Sequence, residues 1–405
     1  MMVFEMVQTK DTGVDRISDC LDGKRIALVI SGGIAATESI KISREIRRYG
    51  GSVYPILTKS AEKIITPLAV SWGAGGVSVT DEWDFKMAQL ESFDGVLLAP
   101  ATRNTIAKFV HGIIDSPALM SISAASGNQT PMLFVPSMHN DLFDDPVTDE
   151  LLKSVTEKGV EILLSDSVES RRKQPDPVSI VAKLCHIINS RLSARNRIAI
   201  TLGATRSPID SVRFIQNSSS GKTGWSIAEH LYRMGHDVIC VVGETKYEPS
   251  FLLPDVRKTS DPDRILEFCI DLASSSNPPG LWIHSAAILD YQAEKERGKR
   301  KSDTGEWNLT LYPSVKHLGE LSKYTTGSIR IGFKLEDDSD EEHLIPRAYD
   351  LISKYGLDAV VANLISEASG SLPLRCRIVF SGNEVQEITT LQELCETLES
   401  MISEN

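Results

Sequence analysis

The chain has 405 residues, more than one hydrophobic core usually holds, so two domains are expected. A hydrophobic fraction of 41% and a charged fraction of 24% are typical of a globular protein and exclude a disordered chain. The 43 basic and 55 acidic side chains leave a net charge of −12, which argues against a general binder of nucleic acid or of an anionic membrane.

Residues 1–22 mix acidic with apolar side chains and lack the basic start and apolar run of a signal peptide. No apolar run approaches the roughly 18 residues that would span a bilayer. We therefore expect an N-terminal tail over residues 1–22 and a cytoplasmic protein that contacts neither membrane nor nucleic acid.

The six cysteines are scattered along the chain and include no Cys-x-x-Cys pair: Cys20, Cys185, Cys240, Cys269, Cys376 and Cys395. The eight histidines are equally dispersed, with no His-Glu-x-x-His motif. This spacing predicts buried free thiols rather than disulfides or zinc ligands, and no metal site built by the protein alone.

Residues 23–190 are predicted to alternate strands with helices. An amphipathic helix is expected over residues 35–49, after the first strand and a glycine pair. The expected strands are residues 24–31, 52–58, 95–99, 132–136 and 160–164. Continuous apolar strands separated by helices indicate a parallel sheet covered on both faces.

The same pattern starts again after a polar, arginine-rich stretch near residue 172 and a helix that reaches about residue 193. Residues 197–203 repeat the first strand closely, so the boundary is expected near 190–196 and the second domain over 191–405. Further strands are expected at residues 237–242, 281–286, 329–334 and 358–363. The acidic run over residues 336–342 predicts a solvated loop or a helix start. The fold class is therefore α/β, with two doubly wound, mostly parallel sheets.

In open α/β sheets, ligands bind at the carboxyl ends of the strands. In the first half these ends carry small, hydroxyl-bearing residues at 31–33, 58–60, 100–102 and 136–139. Together they favour a phosphate-bearing ligand over the alternative that Gly32 and Gly33 only form a tight turn. A dinucleotide is not favoured, because the Gly-x-Gly-x-x-Gly spacing is missing and Thr58 with Lys59 stands where an acidic residue would hold the ribose.

Five segments of the first half resemble the flavoproteins that decarboxylate phosphopantothenoylcysteine, in order and in spacing over residues 24–190. They are residues 31–36, 65–68, 98–104, 112–115 and 136–139. The resemblance implies an FMN cofactor. The residues implied to hold it are Ser31, Gly32, Gly33, Ile34, Thr58, Ser60, Pro100, Ala101, Thr102 and Asn104.

Two departures from this family concern its acid–base residues. The family's catalytic histidine falls on Lys86, and the flap that carries its cysteine corresponds to residues 166–177, which contain no Cys. His139 is a tolerable variant of a family block and a candidate base, whereas His111 is expected to be a packed or surface residue. A positioned acid or base is worth about 10²–10⁴-fold in rate, so the sequence predicts a flavin-binding fold with poor or altered decarboxylation.

The most distinctive segment of the second half spans residues 202–224. Residues 220–223 imitate a phosphate-binding P-loop, but Gln216 stands where its first glycine is required, so this interpretation is rejected. Residues 217–221 precede an amphipathic helix and still predict an anion cradle at its N-terminus.

This segment closely resembles the signature of phosphopantothenate–cysteine ligases, and further blocks at residues 285–291, 299–302, 332–333 and 361–363 agree. The resemblance covers residues 196–400. It implies that Asn217 stabilises the activated acyl intermediate and that Arg213 lies beside it. The residues implied to hold the nucleotide are Asp290, Lys299, Val315, Lys316, His317, Leu318 and Phe333.

Two lysines that grip the nucleotide phosphates in this family fall on Leu351 and Tyr355, and Lys354 or Arg347 is a candidate substitute. A carboxylate reacts with an amine only after its oxygen becomes a leaving group, here by transfer to a nucleotide. That step needs cations, which Lys299, Lys301 and Mg²⁺ would supply, and a neutral donor, which Asn217 would supply. Taken alone, residues 299–301 fit a solvated basic stretch better than a phosphate site, and the surrounding family blocks reverse this preference.

The leading hypothesis is a bifunctional protein of coenzyme A biosynthesis, with decarboxylase and ligase domains. Its expected partners are 4′-phosphopantothenate, cysteine, CTP with Mg²⁺, and FMN, although the residues leave CTP against ATP open. The resemblance also implies a homo-oligomer, with a ligase dimer and a higher assembly through the flavin domain. The alternative is a flavin-dependent oxidoreductase whose second half is a nucleotide-binding regulatory domain.

Overall fold

The computed structural model describes residues 12–77, 93–165, 167–168, 171–172, 174–301, 305–369 and 373–403. The chain divides into two compact units. The first runs to Leu192 and includes the short segment Arg233–Gly235, and the second comprises Ser193–Tyr232 and the chain from His236 onward. Within the described residues, no helix combines the length and the apolar character needed to cross a membrane.

The first unit is built on a five-stranded parallel sheet in the order β2-β1-β3-β4-β6. Its strands are β1 (Arg25–Ile30), β2 (Ser52–Leu57), β3 (Gly95–Ala101), β4 (Met132–Pro136), β5 (Met138–His139), β6 (Glu161–Ile162), β7 (Ser167–Val168) and β8 (Arg171–Arg172). Its helices are α1 (Ser39–Arg48), α2 (Pro67–Gly73), α3 (Arg103–Val110), α4 (Pro117–Gly127), α5 (Asn140–Phe143), α6 (Pro146–Glu157) and α7 (Pro177–Asn189). Strands β5, β8 and β7 form a small separate antiparallel sheet.

Both faces of this sheet are covered, as the continuous apolar strands predict. Along β1, Ile26, Leu28 and Ile30 pack in one core and Ala27 with Val29 in the other. The first core includes residues of α1 and α7, and the second includes residues of α3, α4 and α6. Because successive strand residues point to opposite faces, such a strand must be apolar throughout.

Several helices of this unit begin with the same local chemistry. The side chains of Thr66, Ser116, Asp145 and Asp176 each accept a bond from a backbone N–H in the first turn, and a proline follows each of them. A hydroxyl or carboxylate satisfies N–H groups that lack a partner in the helix, and proline has no N–H to lose there. These pairs therefore fix where the helices start.

The second unit is built on an eight-stranded sheet in the order β13-β12-β9-β14-β17-β18-β19-β20. Its strands are β9 (Arg197–Leu202), β10 (Arg206–Pro208), β11 (Phe214–Gln216), β12 (Asp237–Val242), β13 (Asp255–Lys258), β14 (Leu281–His284), β15 (Tyr291–Ala293), β16 (Leu311–Pro313), β17 (Ile329–Glu336), β18 (Ala359–Leu364), β19 (Cys376–Phe380) and β20 (Val385–Ile388). Its helices are α8 (Lys222–Arg233), α9 (Pro262–Ala273), α10 (His317–Leu321), α11 (Glu341–Tyr355), α12 (Ile365–Ser369) and α13 (Leu391–Ser403).

Neighbouring strands are parallel from β13 to β18, while β19 and β20 are antiparallel additions at one edge. Two short antiparallel pairs, β10 with β11 and β15 with β16, stand outside the main sheet. The predicted α/β class with two mostly parallel sheets is confirmed. The six cysteines are buried free thiols, also as predicted.

Some predicted boundaries differ from the structure. The strand expected over residues 160–164 pairs only at Glu161 and Ile162, where it meets Leu133 and Phe134 at the edge of the sheet. The helix expected over residues 35–49 opens with a 3₁₀ turn, Ile34–Glu38, and becomes α-helical at Ser39. The acidic run is an exposed 3₁₀ turn, Asp338–Asp340, followed by the start of α11, in agreement with a solvated helix start.

Candidate functional site

In the first unit, the buried side chain of Ser31 joins the ends of two neighbouring strands. Its hydroxyl donates to the carbonyl of Pro100 at 2.6 Å and accepts from the backbone N–H of Thr102 at 2.8 Å. The backbone N–H of Ser31 also donates to Pro100, at 3.3 Å. The loops that follow β1 and β3 are therefore held together at the carboxyl edge of the sheet.

The loop after β2 meets the same place. A Cβ at Gly32 would lie 2.3 Å from the Cβ of Ser60 and 2.8 Å from its backbone carbon, so only glycine fits there. Thr58 precedes this contact, and its hydroxyl accepts from the N–H of Ala61 at 3.3 Å. Ile34 stands beside the turn with 78% of its surface exposed.

The start of α3 presents backbone N–H groups at this edge. Thr102 occupies the capping position without a side-chain bond to the helix backbone, and its hydroxyl instead lies 3.0 Å from that of Thr105. Asn104 is exposed in the first turn. The first N–H groups of a helix lack partners within the helix and attract anions, so this turn suits a phosphate.

His139 lies at the end of β5 and is exposed. Two residues earlier, the N–H of Ser137 donates to the carbonyl of Ala101 at 3.3 Å, which ties this segment to the same sheet edge. Lys86 lies outside the described residues, and so does part of the stretch 166–177. The structure thus brings together the predicted positions 31–34, 58–60 and 100–104, with His139 on the segment that follows β4.

The second unit contains a cavity of about 550 Å³ around the segment 217–221, which we call the Asn217 cavity. The amide nitrogen of Asn217 donates to the carbonyls of Ala287 and Ile288, at 3.2 and 3.1 Å. Asn217 therefore links the loop before α8 to the loop after β14. Polar residues that line the cavity without being predicted include Thr223, Lys334, Asn363 and Arg375.

Two glycines allow α8 to start against the sheet. Gly221 has a φ of +77°, and a Cβ there would lie 2.4 Å from the Cγ2 of Thr245. A Cβ at Gly224 would lie 2.4 Å from the Cβ of Leu202. The helix N-terminus consequently approaches the end of β9 more closely than it could if any other residue type stood at these two positions.

A second cavity of about 240 Å³ adjoins the first, and we call it the His284 cavity. The two cavities share the lining residues Ala286, Ile288, Asp290, Phe333 and Lys334. Most residues predicted to hold a nucleotide line this second cavity: Asp290, Val315, Lys316, His317, Leu318 and Phe333. At its mouth, the ammonium of Lys316 forms an ion pair with Asp290.

Leu351 and Tyr355, which stand where the resembling family has lysines, line the His284 cavity as well. The two candidate substitutes are placed elsewhere. The Lys354 ammonium lies over the ring of Tyr355, 5.2 Å from its centroid, and Arg347 forms ion pairs with Glu336 at 2.6 Å and with Asp340 at 3.1 Å. Neither is among the residues that border the cavity.

Arg213 and Lys299 are not among the described residues that border the two cavities. The guanidinium of Arg213 pairs with buried Asp210 and lies over Trp307, 5.1 Å from its ring centroid. Burial alone would raise the pKa of Asp210, but hydrogen bonds from the N–H groups of Val212, Arg213 and Arg300 outweigh it and lower the pKa to about 2. Lys299 is exposed, next to this cluster in sequence.

The His284 cavity contains two buried histidines. Burial, reinforced by the positive charge of Arg330, lowers the pKa of His284 to about 3. Burial lowers the pKa of His317 to about 4. Both imidazoles are therefore neutral at physiological pH.

Sequence reasoning missed His284, Lys334 and Arg375. The rule that ligands bind at the carboxyl ends of parallel strands could have found two of them, because His284 ends β14 and Lys334 lies near the end of β17. Arg375 precedes β19, an antiparallel strand that was not predicted. No group of three acidic, histidine or cysteine side chains suited to a metal ion occurs in the part of the chain that the structure describes.

Two protein families match this chain. Residues 15–194 match the family described as Flavoprotein, and residues 193–396 match the DNA/pantothenate metabolism flavoprotein C-terminal domain. The similarity therefore extends through both structural units.

Full-length relatives show the same combination. The coenzyme A biosynthesis bifunctional protein CoaBC of Thermococcus kodakarensis is 31% identical over 357 residues, which is 87% of this chain and 87% of that protein. CoaBC of Methanocaldococcus jannaschii is 32% identical over 356 residues, 86% of each chain. A crystal structure of the DNA/pantothenate metabolism flavoprotein from Streptococcus pneumoniae is 24% identical with a TM-score of 0.46, covering 52% of this chain and 99% of that one.

Proposed function

This chain belongs to the CoaBC family of bifunctional coenzyme A biosynthesis proteins, which combine a flavoprotein decarboxylase domain with a ligase domain, and from this we propose how its residues perform the two reactions. The second unit joins the amine of cysteine to the carboxylate of 4′-phosphopantothenate, driven by a nucleoside triphosphate, which we propose is CTP. A flavin-dependent oxidoreductase with a regulatory second domain is not favoured, because both halves of the chain are similar to bifunctional enzymes.

The observation that carries the ligase proposal is the pair of adjoining cavities. Their shared lining, which includes Asp290, Phe333 and Lys334, provides one place where the ends of two substrates can meet. We assign the nucleotide to the His284 cavity and 4′-phosphopantothenate to the Asn217 cavity. The loop before α8 then faces the anionic substrate with backbone N–H groups and Lys222.

The proposed reaction has two steps. A carboxylate oxygen of 4′-phosphopantothenate attacks the α-phosphorus of the triphosphate, pyrophosphate leaves, and an acyl-nucleotide forms. The amine of cysteine then attacks the acyl carbon, a proton is lost from nitrogen, and the nucleoside monophosphate leaves as the amide forms. Lys334, with Lys299 and Lys301 on the neighbouring basic stretch, would balance the phosphate charge, and Mg²⁺ would enter with the triphosphate.

Asn217 is the proposed neutral donor for the acyl oxygen. Its amide now bonds the carbonyls of Ala287 and Ile288, which border the same cavity. If the Asn217 amide donated to the acyl oxygen of the substrate instead of to one of these carbonyls, it would be a fixed donor at the place where negative charge develops. Arg213 would act from a distance, because with Asp210 it holds the loop that leads into β11.

For the first unit we propose that FMN is held by Ser31, Gly32, Gly33, Ile34, Thr58, Ser60, Pro100, Ala101, Thr102 and Asn104. Two observations fit this cofactor: no Cβ can be accommodated at Gly32, and the first turn of α3 presents backbone donors without a side-chain cap. When bound, FMN supplies the redox chemistry of the decarboxylation. His139, on the segment after β4, is the candidate proton acceptor within the described residues.

We further propose that the protein is a homo-oligomer that dimerises through its ligase units and assembles further through its flavin units. Exposed apolar side chains on the antiparallel pair of β15 and β16 support the first contact: Tyr291 is 54% exposed, Leu311 43% and Tyr312 52%. The exposed Ile34 and Leu68 support the second, at 78% and 80%.

The test uses the purified full-length protein with 4′-phosphopantothenate, cysteine, Mg²⁺ and either CTP or ATP. We expect one pyrophosphate released for each amide formed, and no pyrophosphate when cysteine and 4′-phosphopantothenate are both omitted. An absorption spectrum of the same preparation should show bound flavin. Amide formation without nucleotide consumption would contradict the two-step reaction, and nucleotide binding without amide formation would favour the regulatory alternative.

A further inference from the structure

The inner wall of the His284 cavity carries polar groups that the proposed catalytic roles do not use. His284 ends β14 and lies between Thr201 of β9 and Gly332 of β17 in the sheet register. His317 begins α10 and borders the same cavity. Each of the two histidines is only 9% exposed. Two buried imidazoles therefore face one small cavity.

The His284 ring is held in place, but the residues that the structure describes do not fill its hydrogen-bonding capacity. It stacks on Trp282 with ring centroids 6.0 Å apart and planes inclined by 12°. Its Nε2 atom is buried and has no hydrogen-bond partner among the residues that the structure describes. Buried polar atoms are normally hydrogen bonded, since they have given up their contact with water. A ligand in the cavity would supply the missing partner.

The chemistry of this wall suits an uncharged ligand group. Because the pKa values of His284 and His317 are lowered to about 3 and about 4, both rings are neutral and each offers one N–H donor and one acceptor nitrogen. A phosphate would instead require cations or several donors. The polar edge of a heterocyclic base presents donors and acceptors side by side, which matches two neutral imidazoles.

The rest of the cavity is consistent with a flat aromatic ligand. Leu318, Leu321 and Phe333 provide apolar walls, and so do Leu351 and Tyr355. The lysines stand among acidic residues at its border: Lys316 pairs with Asp290, and Lys334 with Glu336 at 2.8 Å. The cavity therefore combines apolar faces for a ring with a neutral polar end, the usual composition of a small-molecule site.

We propose that His284 and His317 recognise the polar edge of the nucleobase and determine which nucleoside triphosphate the ligase uses. This inference rests on the proposed assignment of the His284 cavity to the nucleotide. It concerns a choice of substrate, because neither imidazole is given a role in the transfer of phosphorus or of the acyl group.

The test compares steady-state ligation by the full-length protein with CTP and with ATP, for wild type and for His284→Phe, His284→Asn and His317→Phe. Phenylalanine keeps the flat ring beside Trp282 and removes the polar atoms, whereas asparagine restores one donor and one acceptor. His230→Phe is the matched control, because His230 is a buried histidine of α8 that borders neither cavity as described. Melting temperature and binding of each nucleotide to the substrate-free protein are measured for every variant.

We expect wild type to prefer one nucleotide by at least about 30-fold in kcat/KM. The variants His284→Phe and His317→Phe should each raise the KM for that nucleotide about 10- to 100-fold, because a site built for hydrogen bonds discriminates between substrates through them. The preference should fall to within about threefold, His284→Asn should recover part of it, and the KM for 4′-phosphopantothenate should not change. Equal use of CTP and ATP by wild type would overturn the inference. So would variants whose preference is unchanged, even if both nucleotide KM values rise. A rise confined to the KM for 4′-phosphopantothenate would overturn the assignment of the cavity itself and leave the ligase reaction standing.

Discussion

At the scale of single residues, Asn217 is a neutral side chain in the cavity that we propose for 4′-phosphopantothenate, and its neutrality suits the proposed role of donor to the acyl oxygen. Its amide donates to two backbone carbonyls that border the Asn217 cavity. An amide N–H can donate a hydrogen bond to a developing oxyanion and keep its proton. A donor that is fixed in place needs little rearrangement in the transition state. Aspartate would keep the shape of the side chain but could not act as a donor, because an ionised carboxylate only accepts hydrogen bonds.

We expect Asn217→Asp to fold normally and to reduce kcat for ligation about 10²–10³-fold, the range for loss of one oxyanion donor. The added charge would also repel the acyl phosphate and the carbonyls of Ala287 and Ile288. Pyrophosphate release and amide formation should fall together. Asn277→Asp, at an exposed loop position, is the matched control and should retain wild-type turnover. Activity of Asn217→Asp within about threefold of wild type would remove Asn217 from the site.

Single residues also show what the sequence could and could not predict about the site. Asp290, Lys316 and Phe333 were expected from a family resemblance, and they do line one cavity. His284 was not expected, because within the strand 281–286 it is simply one more residue of an apolar run. Its importance depends on Trp282, Thr201 and Gly332, which only the folded sheet brings beside it.

At the scale of elements, the approach of α8 to the sheet determines the shape of the Asn217 cavity. Gly224 lies in the first turn of this helix, directly over the end of β9 and near β14: a Cβ there would be 2.4 Å from the Cβ of Leu202 and 2.8 Å from the Oγ of Ser285. The contact with Leu202 cannot be relieved by a side-chain rotation, since it involves a Cβ atom. The helix start would have to move.

We expect Gly224→Ala to destabilise the protein by about 1–3 kcal/mol through overpacking, although alanine favours a helix by about 1 kcal/mol over glycine. The KM for 4′-phosphopantothenate should rise as well, because residues 218–223 move with the helix start. Gly127→Ala in α4 is the control: its Cβ would meet nothing within 4 Å, so this variant should be neutral or slightly stabilising. Urea unfolding and ligation kinetics check both variants. A Gly224→Ala protein as stable as wild type would show that α8 tolerates displacement.

Helix α13 is tied to the first strand of its unit by a partly buried ionic cluster. Glu399 receives a hydrogen bond from Arg195 at 2.8 Å and lies 3.6 Å from the Nε2 of His236. The Nδ1 of His236 accepts the backbone N–H of Asn196 at 3.1 Å, just before β9. The nearby imidazole of His236 and then the hydrogen bond from Arg195 lower the pKa of Glu399 to about 2, against burial, which would raise it.

The sign of the resulting pH dependence follows from the direction of this shift. Because the folded pKa of Glu399 lies below its unfolded value of 4.5, the stabilisation is complete above about pH 5 and is lost as the pH falls toward 2. We expect Glu399→Gln to cost about 1–2 kcal/mol at pH 7, allowing for screening by solvent, and less as the pH falls from 5 toward 3. Urea unfolding of both proteins across this range is the measurement. Glu396→Gln, on the exposed side of the helix, should show no such dependence, and a cost at Glu399 that is constant with pH would contradict the assignment.

The elements themselves divide into those that the sequence predicts and those that it does not. Strands buried in the centre of each sheet, such as β1, β9 and β12, are predicted almost to the residue, because nearly every residue after the first is apolar. Strand β13 escaped prediction: its sequence Asp-Val-Arg-Lys is mostly charged, and it pairs with only one neighbour at the edge of the sheet. Strands β19 and β20 form an antiparallel edge, which a search for strand–helix alternation passes over.

At the scale of the whole molecule, each unit has its own hydrophobic cores and its own candidate site. The cradle of the first unit uses residues between 31 and 139, and both cavities of the second use residues between 201 and 394. Each site is therefore built from side chains of a single unit. We infer that the two activities can be impaired separately, and that a loss in one unit leaves the other reaction intact.

This separation leads to the last prediction, that ligation outpaces decarboxylation in the full-length protein. The residues proposed to hold FMN rely on backbone donors and on the close contact of Gly32 with Ser60, and they are intact. By the resemblance to the decarboxylases, the proton-transfer residues are missing: Lys86 falls at their histidine position, and residues 166–177, which correspond to their flap, contain no cysteine. A lysine with the usual pKa of about 10.4 is mostly protonated at neutral pH and is a poor base. Loss of a positioned acid or base costs about 10²–10⁴-fold in rate.

Mixed with cysteine, 4′-phosphopantothenate, Mg²⁺ and nucleotide, the protein should therefore accumulate phosphopantothenoylcysteine, with carbon dioxide released at least about 100-fold more slowly than amide is formed. Mass spectrometry of the intermediate, carbon dioxide and 4′-phosphopantetheine follows the course, and Asn217→Asp supplied with synthetic phosphopantothenoylcysteine isolates the second reaction. Carbon dioxide without 4′-phosphopantetheine would locate the defect in the missing cysteine alone. Equal rates for both reactions would refute the prediction, and loss of carbon dioxide release in His139→Ala would then identify the base that replaces the histidine.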